Sequence, residues 1–103
     1  MTSTKYSHKI LEALENIEHP AIAATLMKLG MLRHIEVSSD KKVELTMVLP
    51  FPSIPENVRD YMINRLASAA RSAGGELTKV NIAVMNEEER QKFLTIEQEF
   101  WRG

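Results

Sequence analysis

The chain has 103 residues, of which 44% are hydrophobic and 26% charged, and it contains no cysteine. This balance fits one globular domain and excludes a disordered chain, disulfides and thiolate metal sites. The net charge of −1 excludes a general electrostatic attraction to nucleic acid or to an anionic membrane. Because the chain shows neither an apolar signal core nor a run long enough to span a bilayer, we expect a cytoplasmic protein.

The first third of the chain predicts one helix followed by an ambiguous segment. Apolar residues recur every three or four positions over residues 4–17, which predicts an amphipathic helix that stops at His19-Pro20. Residues 21–30 have the composition of a short helix ending at Gly30. This segment is short enough for tertiary contacts to override that preference.

The middle of the chain predicts a β-hairpin. Residues 31–38 and 42–49 each alternate between apolar and polar side chains, as strands with one buried face do. Ser39-Asp40-Lys41 lies between them and has the composition of a turn. The two strands are therefore expected to pair in antiparallel fashion.

A proline-rich loop and a long helix follow the hairpin. Three prolines between residues 50 and 55 cannot continue the strand. Ser53 and Glu56 have the spacing of a capping box, so we expect Ser53 to be the N-cap of a helix that runs to about Ala73. Two glycines at positions 74 and 75 end it.

The last part of the chain predicts a third strand and a third helix. Residues 77–84 are rich in β-branched side chains and predict the strand. Residues 86–101 predict the helix, with Asn86 as its N-cap and the acidic run Glu87–Glu89 favourably placed against the helix dipole.

The predicted fold class is α/β (α+β), with the order α-β-β-α-β-α and a three-stranded mixed sheet whose helices pack mainly on one face. We place the first strand in the middle of the sheet, with the second and third antiparallel to it on either side. Residues 1–103 form a single domain, with a core at about 4–85 and an extra C-terminal helix at about 86–101.

The residue pattern predicts no catalytic residue, no metal and no cofactor, so we expect a protein that is not an enzyme. Ser53 lacks the glycine context of a nucleophile elbow. His8, His19 and His34 have no zinc-motif spacing, and the glycines match no phosphate-binding loop. The basic residues are too few, and too separate from aromatic residues, to predict a nucleic-acid partner, and no membrane partner is expected.

Apolar surfaces remain as candidates for binding a protein partner. Phe51 and Ile54 lie with Ser53 in the proline-rich loop, and a stiff loop loses little entropy on binding. The alternative is that both apolar side chains pack into the core. The apolar side of the last helix ends in Phe100 and Trp101, and it either covers the open face of the sheet or forms a dimer contact.

Three stretches of the chain each carry one part of a recognisable pattern. The first has a proline after the predicted first helix, the second has a Leu-Gly pair that leads into a strand, and the third is a strand followed by a proline-containing helix start. They are residues 10–22, with His19-Pro20-Ala21-Ile22; residues 29–37, with Leu29-Gly30-Met31; and residues 43–55, with Pro52-Ser53-Ile54-Pro55. Over roughly residues 9–84 the chain thereby resembles the PaaD-like iron–sulfur assembly domain, which occurs alone and at the N-terminus of Mrp-type ATPases. In that family the early signature reads aspartate-proline-glutamate-leucine.

The resemblance also shows which of the family's reactive residues are replaced. The family's signature cysteine precedes a proline at the start of the long helix, and in this chain that position is Ile54 before Pro55. The acidic residues of the early signature are replaced by His19 and Ala21. A thiol at a helix N-terminus is a reactive group and a metal ligand, whereas isoleucine is neither.

The resemblance implies an accessory role in the maturation of iron–sulfur proteins, exerted through contact with biogenesis factors or client proteins. A second interpretation is an interaction or structural module of the same fold with an unrelated partner, for example a homodimer through the last helix or a sheet edge. The candidate partner-contact residues are Phe51, Ser53, Ile54, His19, Phe100 and Trp101.

Overall fold

The computed structural model describes residues 5–101, with side chains from His8 onward. Its elements are α1 (Lys5–Glu15), β1 (Leu32–Val37), β2 (Lys42–Leu49), α2 (Glu56–Ser72), β3 (Glu76–Val84) and α3 (Glu87–Phe100). The predicted α-β-β-α-β-α order and the three-stranded mixed sheet are confirmed, while the predicted helix start at residue 4 lies outside the described residues. None of the described helices is both long and apolar enough to cross a bilayer.

The sheet has the order β1-β2-β3, so the predicted position of the first strand in its middle was wrong. β1 and β2 form the expected antiparallel hairpin, and β3 lies parallel to β2 on the other side. A helix that connects two strands commonly brings the second beside the first in parallel orientation, as α2 does here. In addition, β2 is the most buried strand, and a central position excludes water from both of its sides. Its buried side chains are Val43, Leu45, Met47, Val48 and Leu49.

The core lies between the sheet and the helices α1 and α2. Its completely buried side chains come from α1, β2, α2 and the segment before β1, and they include Ile10, Leu14, Ile22, Leu26, Val43, Leu45, Met47, Val48 and Leu66. Four methionines are at most 3% exposed: Met31, Met47, Met62 and Met85. No polar side chain is buried among the described residues, so apolar burial is the main stabilising contribution to this core.

Residues 21–30, which the sequence left ambiguous, form turns and isolated bridges instead of a helix. The backbone N–H of Leu26 donates to the carbonyl oxygen of Ile17, and that of Ala23 donates to the carbonyl oxygen of Phe100. Ile22 and Leu26 are completely buried. The helical preference is overridden because the backbone finds hydrogen-bond partners in neighbouring segments while the apolar side chains enter the core.

The predicted N-cap of α2 was wrong. The helix begins at Glu56, its N-cap is Pro55, and no side chain makes a capping hydrogen bond there. Ser53 is exposed and lies in the turn before the helix. With Ser53 as the cap, Ile54 would have to be helical directly before Pro55, a conformation that proline disfavours in the residue preceding it.

The predicted end of α2 and the predicted start of α3 are confirmed. α2 ends at Ser72, and Gly74 follows with a φ of 95° that suits glycine. α3 starts after the predicted N-cap, where the side chain of Asn86 accepts a hydrogen bond from the backbone N–H of Glu89. The Glu89 carboxylate in turn accepts one from the backbone N–H of Asn86, which completes a capping box.

Gly75 lies where α1, the β1–β2 turn and the start of β3 meet. An added Cβ at this position would lie 2.7 Å from Cδ1 of Ile10 and 3.0 Å from the carbonyl oxygen of Lys41. We therefore expect Gly75→Ala to lower the free energy of unfolding by about 1–3 kcal/mol, measured by urea denaturation. Ser72→Ala, at the exposed end of α2, is the control and should change it by less than about 0.5 kcal/mol. Equal stability of Gly75→Ala and the wild type would contradict this close packing.

Candidate functional site

The proline loop, residues 50–55, connects β2 to α2 and is held by the first turn of α3. Nε of Arg90 donates to the carbonyl oxygen of Pro50 at 2.8 Å, and Nη2 donates to that of Met85 at 3.0 Å. The same guanidinium lies 5.4 Å from the centre of the Phe51 ring, within the range of a cation–π contact. Arg90 therefore fixes both the backbone of the loop and its aromatic side chain.

The two apolar residues of the proline loop have different surroundings. Phe51 is 39% exposed, although Arg90 holds its ring. Ile54 is half-buried and packs against the core. Packing into the core, the alternative that the sequence left open for both side chains, therefore applies to Ile54 and does not apply to Phe51. Ser53 is exposed beside them.

The donor atoms of this chain do not fit an iron–sulfur cluster. Such clusters are held mainly by cysteine thiolates, and the chain has no cysteine. The position that the resemblance assigns to the family's cysteine is Ile54, whose side chain has no donor atom. Among the described residues, no group of three or more His, Asp or Glu side chains is placed to hold a metal ion.

His19 lies in a different place, beside the middle of α2. Its Nδ1 accepts a hydrogen bond from the backbone N–H of Ala21 at 3.0 Å, and its own backbone N–H donates to the carbonyl oxygen of Ala24. The ring lines a polar cavity of about 290 Å³ together with Tyr61 and Arg65 of α2. The half-buried His19 thus helps to shape the turn after α1.

Phe100 and Trp101 occupy a third place, where the end of α3 meets the segment before β1. Nζ of Lys28 lies 4.2 Å from the centre of the Phe100 ring, and the backbones of Ile22 and Trp101 form an isolated bridge. Phe100 is half-buried, whereas Trp101 is 55% exposed. The structure therefore does not bring the six predicted contact residues into one site.

Arg33 and Arg90 were not singled out from the sequence. Arg33 pairs with Glu89 of α3 at 2.6 Å, and Arg90 donates to the carbonyl oxygen of Pro50, which lies 40 residues earlier in the chain. The pKa of the Glu89 carboxyl lies below its ordinary value, chiefly because the backbone N–H of Asn86 donates to it and further because Arg33 pairs with it. No local sequence signal identifies such long-range partners, although the Asn86–Glu89 spacing is that of a capping box.

Comparisons with known proteins agree with the fold. The model of a family described as "Iron-sulfur cluster assembly protein" matches residues 7–84. Among solved structures, the chain is similar to a domain of unknown function, DUF59, from Bacillus anthracis, with a TM-score of 0.54 and 14% identity over 87% of this chain and 90% of that one. This likeness supports the fold alone, and no curated protein matches the chain significantly. Because the family model spans most of the chain, the chain belongs to the iron–sulfur cluster assembly protein family, which supports a role in cluster assembly.

Proposed function

We propose that this chain is a non-catalytic accessory in the maturation of iron–sulfur proteins, acting by protein–protein contact without ligating a cluster itself. The observation that carries the proposal is the combination of the family's fold with a donor set that lacks thiolates. The partners would be iron–sulfur biogenesis factors or the client proteins that receive clusters.

The surroundings of the proline loop support contact as the mode of action. Arg90 holds the exposed Phe51 in one position, so a partner that covers this ring would order little additional structure on binding. Exposed aromatic side chains are common anchors of protein interfaces. Trp101 offers a second exposed aromatic side chain at the end of α3.

A homodimer is the second candidate, and one observation favours it. β3 is an outer strand of the sheet, and its Ile82 and Val84 are each 45% exposed. Outer strands with exposed apolar side chains are sites where another chain can add. The last helix supports a dimer less well, because Phe93 is buried and Phe100 half-buried within the same chain.

The proposed function predicts an effect on iron–sulfur enzymes in the organism that carries the chain. Deleting its gene should lower the activity of iron–sulfur enzymes in extracts, and chemical reconstitution with iron and sulfide should restore that activity because the client polypeptides remain intact. The measurement is enzyme activity before and after reconstitution, with a zinc enzyme as the unaffected control.

A complementation experiment separates contact from other roles. The wild-type gene should restore the iron–sulfur enzyme activities, whereas Phe51→Ala should restore them less. Its protein should still fold, as checked by circular dichroism, because Phe51 lies outside the apolar core. Unchanged iron–sulfur enzyme activities in the deletion strain would contradict the proposed function.

A further inference from the structure

A groove of about 300 Å³ lies between the segment before β1 and the side of α3. Its apolar floor includes Leu29, Leu32 and Met85, which are only 2%, 5% and 3% exposed. This volume is at the lower end of the range for ligand pockets, and it suits one or two apolar side chains.

The rim of this groove carries an excess of positive charge. Lys28 and Lys92 are exposed on it, and the Phe100 ring beneath Nζ of Lys28 helps to hold that ammonium group in place. Arg33 is paired on the same rim with the carboxylate of Glu89. Because Glu89 balances the charge of Arg33, the two lysines leave this rim positive, although the whole chain has a net charge of −1.

We propose that this groove binds an acidic segment of a partner protein, which inserts an apolar side chain over Leu29, Leu32 and Met85 while its carboxylates face Lys28 and Lys92. An apolar floor inside a basic rim is complementary to such a segment in both hydrophobicity and charge. The inference rests on the proposed function in one respect, since it takes contact with another protein as the chain's mode of action.

Peptide binding to the purified chain tests the groove. The probes are short fluorescent peptides in which leucine or phenylalanine is flanked by aspartate and glutamate, and matched peptides in which lysine replaces the acidic residues. We expect the acidic peptides to bind, the lysine peptides not to bind, and added salt to weaken binding, all measured by fluorescence anisotropy. The double variant Lys28→Glu, Lys92→Glu should bind the acidic peptides at least about tenfold more weakly.

Lys9→Glu is the matched control, because Lys9 is also an exposed lysine but lies on α1, outside the groove. It should bind the peptides as the wild type does. If the double variant fails to fold, Lys92→Gln replaces it and should still bind more weakly. Each variant is checked by circular dichroism before its affinity is compared.

Three results would overturn the inference. The first is that no acidic peptide binds, and the second is that the double variant binds the acidic peptides as tightly as the wild type does. The third is that light scattering shows a dimer of the wild type but not of the double variant, because a second copy of the chain would then occupy the groove. Peptide binding is independent of the enzyme assays in the deletion strain. If the acidic peptides fail to bind but the gene deletion lowers the iron–sulfur enzyme activities, only the proposal about the groove is contradicted. If the peptides bind but the deletion has no effect, only the proposed role in iron–sulfur protein maturation is contradicted.

Discussion

Replacing Phe93 by alanine will lower the free energy of unfolding by about 3–5 kcal/mol, the usual cost of removing a buried phenylalanine. Phe93 is 4% exposed and belongs to the same apolar core as the sheet, although it lies on α3, beyond the residues that the family model matches. Domains of this size are stable by about 5–15 kcal/mol, so the loss is a large fraction of the total. Urea denaturation followed by circular dichroism measures it.

The reason for this large effect is that α3 is integrated into the domain. The backbone of Ala23 donates to Phe100, Arg33 pairs with Glu89, and Arg90 donates to the carbonyl oxygen of Pro50. Gln98→Ala, on the exposed side of the same helix, is the control and should change stability by less than about 0.5 kcal/mol. If the Phe93→Ala protein is as stable as this control, α3 contributes little to the stability of the domain, which would contradict our interpretation.

Replacing Ile54 by cysteine will create a thiol that reacts faster at neutral pH than a thiol of similar burial at the other end of α2. Ile54 lies directly before Pro55, the N-cap of α2, where the helix dipole stabilises a thiolate. We therefore expect the pKa of the new thiol to be lower than that of an equally half-buried thiol at the C-terminal end of α2. The measurement is the rate of reaction with a thiol reagent as a function of pH.

Ala73→Cys is the matched control, because Ala73 is also half-buried but lies at the other end of α2, where the dipole destabilises a thiolate. Its thiol should titrate at higher pH than that of Ile54→Cys.

The wild type, which has no thiol, should stay colourless when it is incubated with iron and sulfide without oxygen. Equal pKa values in the two variants, or a stable brown wild-type protein, would contradict our interpretation of position 54.

The elements of this fold were predictable because their signals are local. The alternation in residues 42–49 and the Asn86 cap each depend on a few neighbouring residues, and both are confirmed. The order of the strands depends on which pairing buries β2 best, and that is a property of the whole domain. Ser53 failed as a cap because the local effect of Pro55 on Ile54 outweighs the favourable spacing to Glu56.

The candidate site was predictable only in part. The prolines identified the loop, but the position of the Phe51 ring depends on Arg90, which is far away in the sequence. The groove combines residues before β1 with residues of α3, and neither stretch shows a binding pattern by itself. Sites assembled from distant segments leave no periodic or spacing signal in either segment.

The four buried methionines, together with the absence of cysteine, leave few sulfur atoms of this chain within reach of peroxide. Peroxide converts exposed thiols to sulfenic acid and exposed methionines to sulfoxides. The chain has no thiol, and four of its six methionines, Met31, Met47, Met62 and Met85, are shielded inside the core. Its core should therefore persist under oxidative stress, when proteins that depend on reactive cysteines are inactivated.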